Sequence, residues 1–154
     1  MKAKELMSIE PTTASPDDTF HNLLWSFTKC DHHNIYVKDE NDDLVGVVSE
    51  FDVLSIIVPK FASIDLSLIH MMAEGFFEKK GYELKDKKAK DLMRKDFTTI
   101  DEDAPIIEAA AKILHKRIFD IPVVKNKKLL GVIYRGNLLN HLAEIMFKYK
   151  DKNQ

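Results

Sequence analysis

One cysteine, Cys30, in 154 residues excludes an internal disulfide, and the opening Met1-Lys2-Ala3-Lys4-Glu5 lacks the apolar core of a secretory leader. Both point to a cytoplasmic protein. Long hydrophobic runs are also missing. Ile56-Ile57-Val58 stops at Pro59 and Lys60, far short of the roughly 20 residues that span a bilayer, so no membrane segment is expected. Charge of either sign is not in excess: 23 basic against 25 acidic residues leave a net charge of −2, which gives no field suited to nucleic acid. A Gly-rich phosphate loop is absent, and nothing beside Cys30 would activate a thiol. His32 and His33 are adjacent and would point to opposite faces of an extended chain. His21, His70, His115 and His141 share no ligand spacing, apart from His141 with Glu144 at i, i+3. Neither a metal site nor an enzyme is expected.

What the chain does contain is a repeat. Ala3-Lys4-Glu5-Leu6-Met7 recurs as Ala89-Lys90-Asp91-Leu92-Met93, an offset of 86. The same offset carries Thr12-Thr13 onto Thr98-Thr99, and Phe20, Leu23, Leu24 and Phe27 onto Ile106, Ala109, Ala110 and Ile113. Those four positions fall at i, i+3, i+4, i+7, the buried face of a helix in both copies. So long a period describes a duplicated half-domain rather than a stacked solenoid. The chain is long enough for one domain or two small packed halves.

Each copy should open with a helical turn, followed by a short strand at Thr12-Thr13-Ala14 or Thr98-Thr99-Ile100. Then comes the helix, its start marked by Asp17 and Asp18, or by Asp103 with Pro105. A hairpin follows: Asn34 to Val37 with Leu44 to Val48 around an acidic turn, and Ile121 to Val124 with Leu129 to Ile133 around a basic one. The turns read as solvated tips. One residue was gained or lost there, so the offset becomes 85 beyond them. Residues 1–58 and 89–147 are the two motifs. Residues 59–88 have no counterpart and read as a connecting helix with breaks near Gly75 and Gly81. Its Met71-Met72 pair suits a core or dimer-interface stripe, or an adaptable partner groove. Residues 148–154 form a Lys-rich tail expected to fray.

Both hairpins run into a short polar segment and then a helix: Gly46-Val47-Val48-Ser49-Glu50-Phe51-Asp52 in the first copy, Gly131-Val132-Ile133-Tyr134-Arg135-Gly136-Asn137 in the second. Such strand-to-helix junctions suit polar ligands, because helix-start N–H groups are uncommitted and a carboxylate can be fixed beside them. Ser49-x-x-Asp52 is equally a plain helix cap that needs no ligand, stabilising by about 1 kcal/mol.

Taken in order and twice, Pro11-Thr12-Thr13, the following helix, Ile121-Pro122-Val123-Val124, the Gly-led strands and Ser49-Glu50-Phe51-Asp52 resemble the CBS domain pair, or Bateman module. The resemblance implies an α/β (α+β) fold: two β-α-β-β-α units packed sheet to sheet with pseudo-two-fold symmetry and clefts between them. It implies a stand-alone regulatory module sensing an adenosine compound (AMP, ADP, ATP or S-adenosylmethionine), dimerising through its helices and acting on a separate effector protein. Asp52 would accept the ribose hydroxyls, Ser49 would reach sugar or phosphate, and adenine would lie on Thr13, Ile35, Tyr36 and Val37. The second site, at Thr99, Ile121, Pro122, Val123, Tyr134 and Asn137, departs from the family's Thr/Ser-x-x-Asp and should be weak or dead. Where family members often carry a basic phosphate contact this chain has Asp120 and Asn34, which favours a singly charged or uncharged adenosyl ligand over ATP. His115, Lys116 and Arg117 read as the solvated end of a helix. The alternative is a dimeric interaction scaffold that binds no nucleotide.

Overall fold

The computed structural model describes residues 1–152. In chain order its elements are α1 (Ala3–Leu6), β1 (Thr13–Ala14), α2 (Phe20–Lys29), β2 (Asn34–Lys38), β3 (Leu44–Ser49), α3 (Glu50–Ile57), α4 (Lys60–Ile64), α5 (Phe76–Glu83), α6 (Ala89–Leu92), β4 (Ile100–Asp101), α7 (Ile106–Lys116), β5 (Asp120–Lys125), β6 (Lys128–Tyr134) and α8 (Arg135–Lys152). Among the described residues the strands form two three-stranded sheets, ordered β1-β2-β3 and β4-β5-β6. In each, the first strand is parallel to the second. This is the mixed α/β tandem repeat implied by the resemblance.

By internal contact the chain divides into two compact units. One comprises Thr12–Asn41 and Val45–Asp96; the other comprises Met1–Pro11, Asp42–Leu44 and the chain from Phe97 onward. Each repeat's opening segment therefore belongs to the unit built on the other repeat's sheet. In the first unit Ala89 and Lys90 donate backbone N–H groups to the Asp18 and Pro16 carbonyls at 2.7 and 2.9 Å, while Val47 and Arg94 exchange both backbone hydrogen bonds at 3.0 and 2.9 Å. In the second, Ala3 and Lys4 donate to Ala104 and Glu102 at 2.8 and 3.0 Å, and Ser8 and Val132 exchange theirs at 2.9 Å each. Every contact of one set maps onto the other through the repeat offset.

Side chains follow suit. Asp17 lies 3.4 Å from both Lys88 and Lys90, and Asp103 lies 3.2 Å from Lys2 and 2.8 Å from Lys4. Hydrogen bonds from these lysines, Lys88 foremost for Asp17 and Lys4 for Asp103, hold both carboxyls below the usual range. A depressed carboxyl contributes stability above its ordinary range and loses it as pH falls through the folded value. At so exposed a surface that contribution is strongly screened.

The aspartates expected at the helix starts are thus engaged elsewhere. The cap of α2 is Thr19, whose hydroxyl accepts the Asn22 N–H at 3.2 Å, while Asp18 accepts from Ser15 N at 2.9 Å. At α7 the cap position is Pro105, with no side-chain cap bond. Thr19→Ala should therefore lower stability by about 1 kcal/mol in a urea titration, and a neutral result would remove Thr19 from the cap.

The helix faces agree with their spacing. Phe20, Leu23, Ile35, Val37, Val48, Val53 and Ile57 form the first core, with Leu24 and Phe27 packed on it. Ile100, Ala109, Ile113, Ile121, Val123 and Ile133 form the second, together with Ala3 from the opening segment. The strand at Thr98-Thr99-Ile100 is displaced to Ile100–Asp101. In the first copy Tyr36 donates its N–H to the Thr12 carbonyl at 3.0 Å. Its counterpart Pro122 has no N–H to give, so pairing begins one residue later, at Ile100↔Val123 instead of Thr99↔Pro122.

Two other expectations are corrected. Residues 59–88 form no single connecting helix but α4, a 3₁₀ stretch over Leu66–Met71, and α5. Gly75 starts α5 at φ 80°, whereas Gly81 lies inside it, where an added Cβ would come 4.0 Å from Ile57 Cδ1. The hairpin tips are also more than solvated loops. Leu44 donates to the Lys127 carbonyl at 2.9 Å and Lys128 Nζ reaches Asp43 at 2.7 Å, both inside the second unit. The segment expected to fray begins inside α8, which runs to Lys152; Asn153 and Gln154 lie outside the described residues.

Candidate functional site

In the first unit β3 ends at Ser49 and α3 begins at Glu50. The Glu50 N–H donates to the His33 carbonyl at 3.1 Å, which places the junction beside the start of β2. Ser49 and Asp52 form a complete capping box: Ser49 Oγ accepts from Asp52 N at 3.1 Å, and Asp52 Oδ2 accepts from Ser49 N at 2.7 Å. Both readings of this motif begin from that geometry.

A residue that sequence reasoning missed adds to it. Arg94 Nε donates to the same Oδ2 at 3.1 Å; the Asp52 side chain is 20% exposed and that of Arg94 49%. Oδ2 therefore holds a backbone N–H and a guanidinium, and Oδ1 has no protein donor among the described residues. A signal was present in the sequence: the offset of 86 maps Ser8 onto Arg94, a change from neutral to basic immediately after the repeated Leu-Met.

The second unit carries the same layout without charge. Asn137 Oδ1 accepts the Tyr134 N–H at 2.8 Å, and Asn137 Nδ2 donates to Ser8 Oγ at 3.3 Å. Asn137 and Ser8 replace Asp52 and Arg94 position for position. Beside the junctions a second exchange occurs: His33 lies 3.2 Å from Glu50 in one unit, and the Arg135 guanidinium stacks 4.4 Å from the Phe119 ring in the other.

The remaining predicted residues divide by strand face. Ile35 and Val37 in β2, and Ile121 and Val123 in β5, turn their side chains into the two cores, leaving only backbone to meet a ligand. Thr13 is exposed and sits opposite Tyr36 in the parallel register. Tyr36 is 1% exposed, so stacking on a base would require its ring to move. Pro122 is buried, and Thr99 and Tyr134 are half-buried. Asp120 is 3% exposed and Asn34 half-buried at the start of β2. His115 and Lys116 lie in the last turn of α7, with Arg117 in the left-handed conformation that ends it. Among the described residues no three His, Cys, Asp or Glu side chains cluster as a metal site would require, and no helix is long and apolar enough to cross a membrane.

A family model described as the CBS domain matches residues 3–59 and again 89–144. The chain belongs to the CBS-domain family. A CBS domain-containing protein of Dictyostelium discoideum is 26% identical over 144 residues, covering 93% of this chain and 92% of its own length. The Arabidopsis thaliana CBS-pair protein CBSX2 superposes with a TM-score of 0.77 at 22% identity, covering 94% of this chain and 96% of that one. CBSX2 has also been solved in complex with AMP. The CBS domain pair of protein MJ0100, in complex with 5′-methylthioadenosine and S-adenosyl-L-methionine, gives a TM-score of 0.66 at 18% identity, covering 94% and 97%. At these identities the structural likeness establishes the CBS-pair fold.

Proposed function

We propose that this CBS pair is a cytoplasmic regulatory module that binds an adenosine-containing small molecule at the β3–α3 junction and modulates a separate protein, without catalysis of its own. Asp52 would take the ribose hydroxyls on Oδ1, and Ser49, whose hydroxyl proton is not used by the capping box, would donate to sugar or phosphate. Adenine would lie along Thr13, Ile35, Tyr36 and Val37, held by backbone groups. The carrying observation is the inequality of the two junctions. One presents a half-occupied carboxylate beside an arginine; the other is a neutral, self-satisfied Asn137–Ser8 pair, so the set of Thr99, Ile121, Pro122, Val123, Tyr134 and Asn137 is the weaker site. The adenosyl complexes of CBSX2 and of the MJ0100 pair support the ligand class.

A second reading is favoured by a different observation. Ser49 and Asp52 satisfy one another as a cap, which is role enough for both, while Ile107, Leu114, Leu139 and Leu142 on α7 and α8 are each at least half exposed. On that reading the chain is an interaction scaffold, homodimeric through its helices, that takes no nucleotide. Melting-temperature titrations with AMP, ATP and S-adenosylmethionine decide between them. Ligand at 100 times its dissociation constant stabilises by about 2.7 kcal/mol, and Asp52→Ala should abolish that gain. No shift with any of the three, alongside an unresponsive Asp52→Ala, leaves the scaffold.

A further inference from the structure

We propose that Arg94 is the specificity-determining residue of the Asp52 site, selecting an adenosine ligand that carries a 5′-phosphate over neutral adenosine and over the sulfonium cation S-adenosylmethionine. The inference rests on the adenosine-binding reading and deepens it. Three observations carry it.

The first is how Arg94 is held. Its backbone is pinned to Val47 by two hydrogen bonds, so its Cα is fixed beside β3. Its side chain meets Asp52 through Nε alone, at 3.1 Å. The two terminal nitrogens, with four of the five N–H donors of a guanidinium, have no protein acceptor among the described residues, and the side chain is 49% exposed. An arginine engaged only on its Nε side still presents its planar fork, the geometry that matches a phosphate.

The second is charge. Asp52 alone would present a full negative charge and repel a phosphate placed near the ribose. Arg94 cancels it through Oδ2 while leaving Oδ1 open to hydroxyls, so one residue makes the corner tolerant of an anion and supplies donors to it. A sulfonium centre would instead face a guanidinium of like charge.

The third is the internal control supplied by the repeat. Ser8 occupies the equivalent place in the second unit, makes the same pair of backbone bonds to Val132, and reaches Asn137 with a hydroxyl. The bridge to the strand therefore needs no guanidinium; its charge serves the carboxylate and what binds there. The basic residue absent at Asn34 and Asp120 is thus supplied from a different element, and the proposal departs from the singly charged or uncharged adenosyl ligand that those two positions alone favour.

Isothermal titration of AMP, adenosine and S-adenosylmethionine into the full chain tests this, using wild type, Arg94→Gln and Arg94→Lys, with circular dichroism melts to confirm that each is folded. Wild type should bind AMP about 10- to 100-fold more tightly than adenosine, the span expected of hydrogen bonds to a charged group. Arg94→Gln should weaken AMP about 10- to 100-fold more than it weakens adenosine, removing that advantage, and Arg94→Lys should retain part of it. Raising salt should weaken AMP and spare adenosine. Equal losses for AMP and adenosine in Arg94→Gln would reduce Arg94 to a positioner of Asp52, overturning the inference while the ribose site stands. Preference for S-adenosylmethionine over AMP in wild type would also overturn it. If wild type binds none of the three, the adenosine-binding reading fails and this inference falls with it.

Discussion

Removing residues 1–11 is expected to unprotect the amides of β5 and β6, more than a hundred positions away in the chain, and to leave those of β2 and β3 protected. The opening segment and the rest of the second unit share five backbone hydrogen bonds: Ala3 to Ala104, Lys4 to Glu102, Ile106 to Met1, and the reciprocal pair between Ser8 and Val132. At about 0.5–1.5 kcal/mol each, these are worth about 3–8 kcal/mol, a large share of the 5–15 kcal/mol that typically separates folded from unfolded domains. Ala3 is also fully buried in that unit's core, and Met7 covers Gly131. Hydrogen exchange read by mass spectrometry would resolve the two sheets. Loss of protection in Asn34–Lys38 and Leu44–Ser49 with β5 and β6 intact would mean that the segment serves its own repeat, contrary to the contacts described.

That exchange of segments explains what the sequence could and could not convey. The repeat, the helix faces and the hairpins were legible because side-chain periodicity reports burial directly, and burial of Phe20, Leu23, Ala109 and Ile113 does not depend on which segment covers them. The exchange was not legible. An offset of 86 is the same whether Ala3–Leu6 docks on its own repeat or on the other, and Asp17 is as plausible a cap as a partner for Lys88 and Lys90. The capping box at Ser49 and Asp52 was legible as one of two alternatives. Arg94 was not identified, although it differs from Ser8 by a full charge, because its role depends on the same exchange: only the docking of residues 88–96 on β3 brings it to Asp52. The 59–88 region, with no second copy to compare, disclosed the break at Gly75 but not the division ahead of it into α4 and a 3₁₀ stretch. Met71, of the pair suited to a core stripe, a dimer interface or a partner groove, is 77% exposed, which leaves it outside the core.

The exchanged segments also set a test at the two repeated glycines, whose backbones approach the docked methionines too closely for a side chain. A Cβ on Gly46 would overlap Met93, lying 2.8 Å from its Cβ and nearer still to its Cγ and Sδ. A Cβ on Gly131 would meet Met7 in the same way and, in addition, the Ser8 carbonyl oxygen at 2.5 Å. Overpacking of this kind costs about 1–3 kcal/mol, or a fall in melting temperature of about 2–4 °C per kcal/mol for a chain of this size. The neighbours differ in whether they can yield. At Gly46 the three nearest atoms all belong to the Met93 side chain, so Met93→Ala should recover part of the loss caused by Gly46→Ala, a favourable coupling in a double-mutant cycle. At Gly131 the carbonyl is backbone and is itself bonded to Val132 N–H, so Met7→Ala should recover little of the loss from Gly131→Ala. The larger Gly131→Val should break the Ser8–Val132 pair as well, bringing the cost to about 2–6 kcal/mol. Equal recovery at both glycines would show that the Ser8 carbonyl gives way, and that the exchanged segment is held less firmly than its hydrogen bonds indicate.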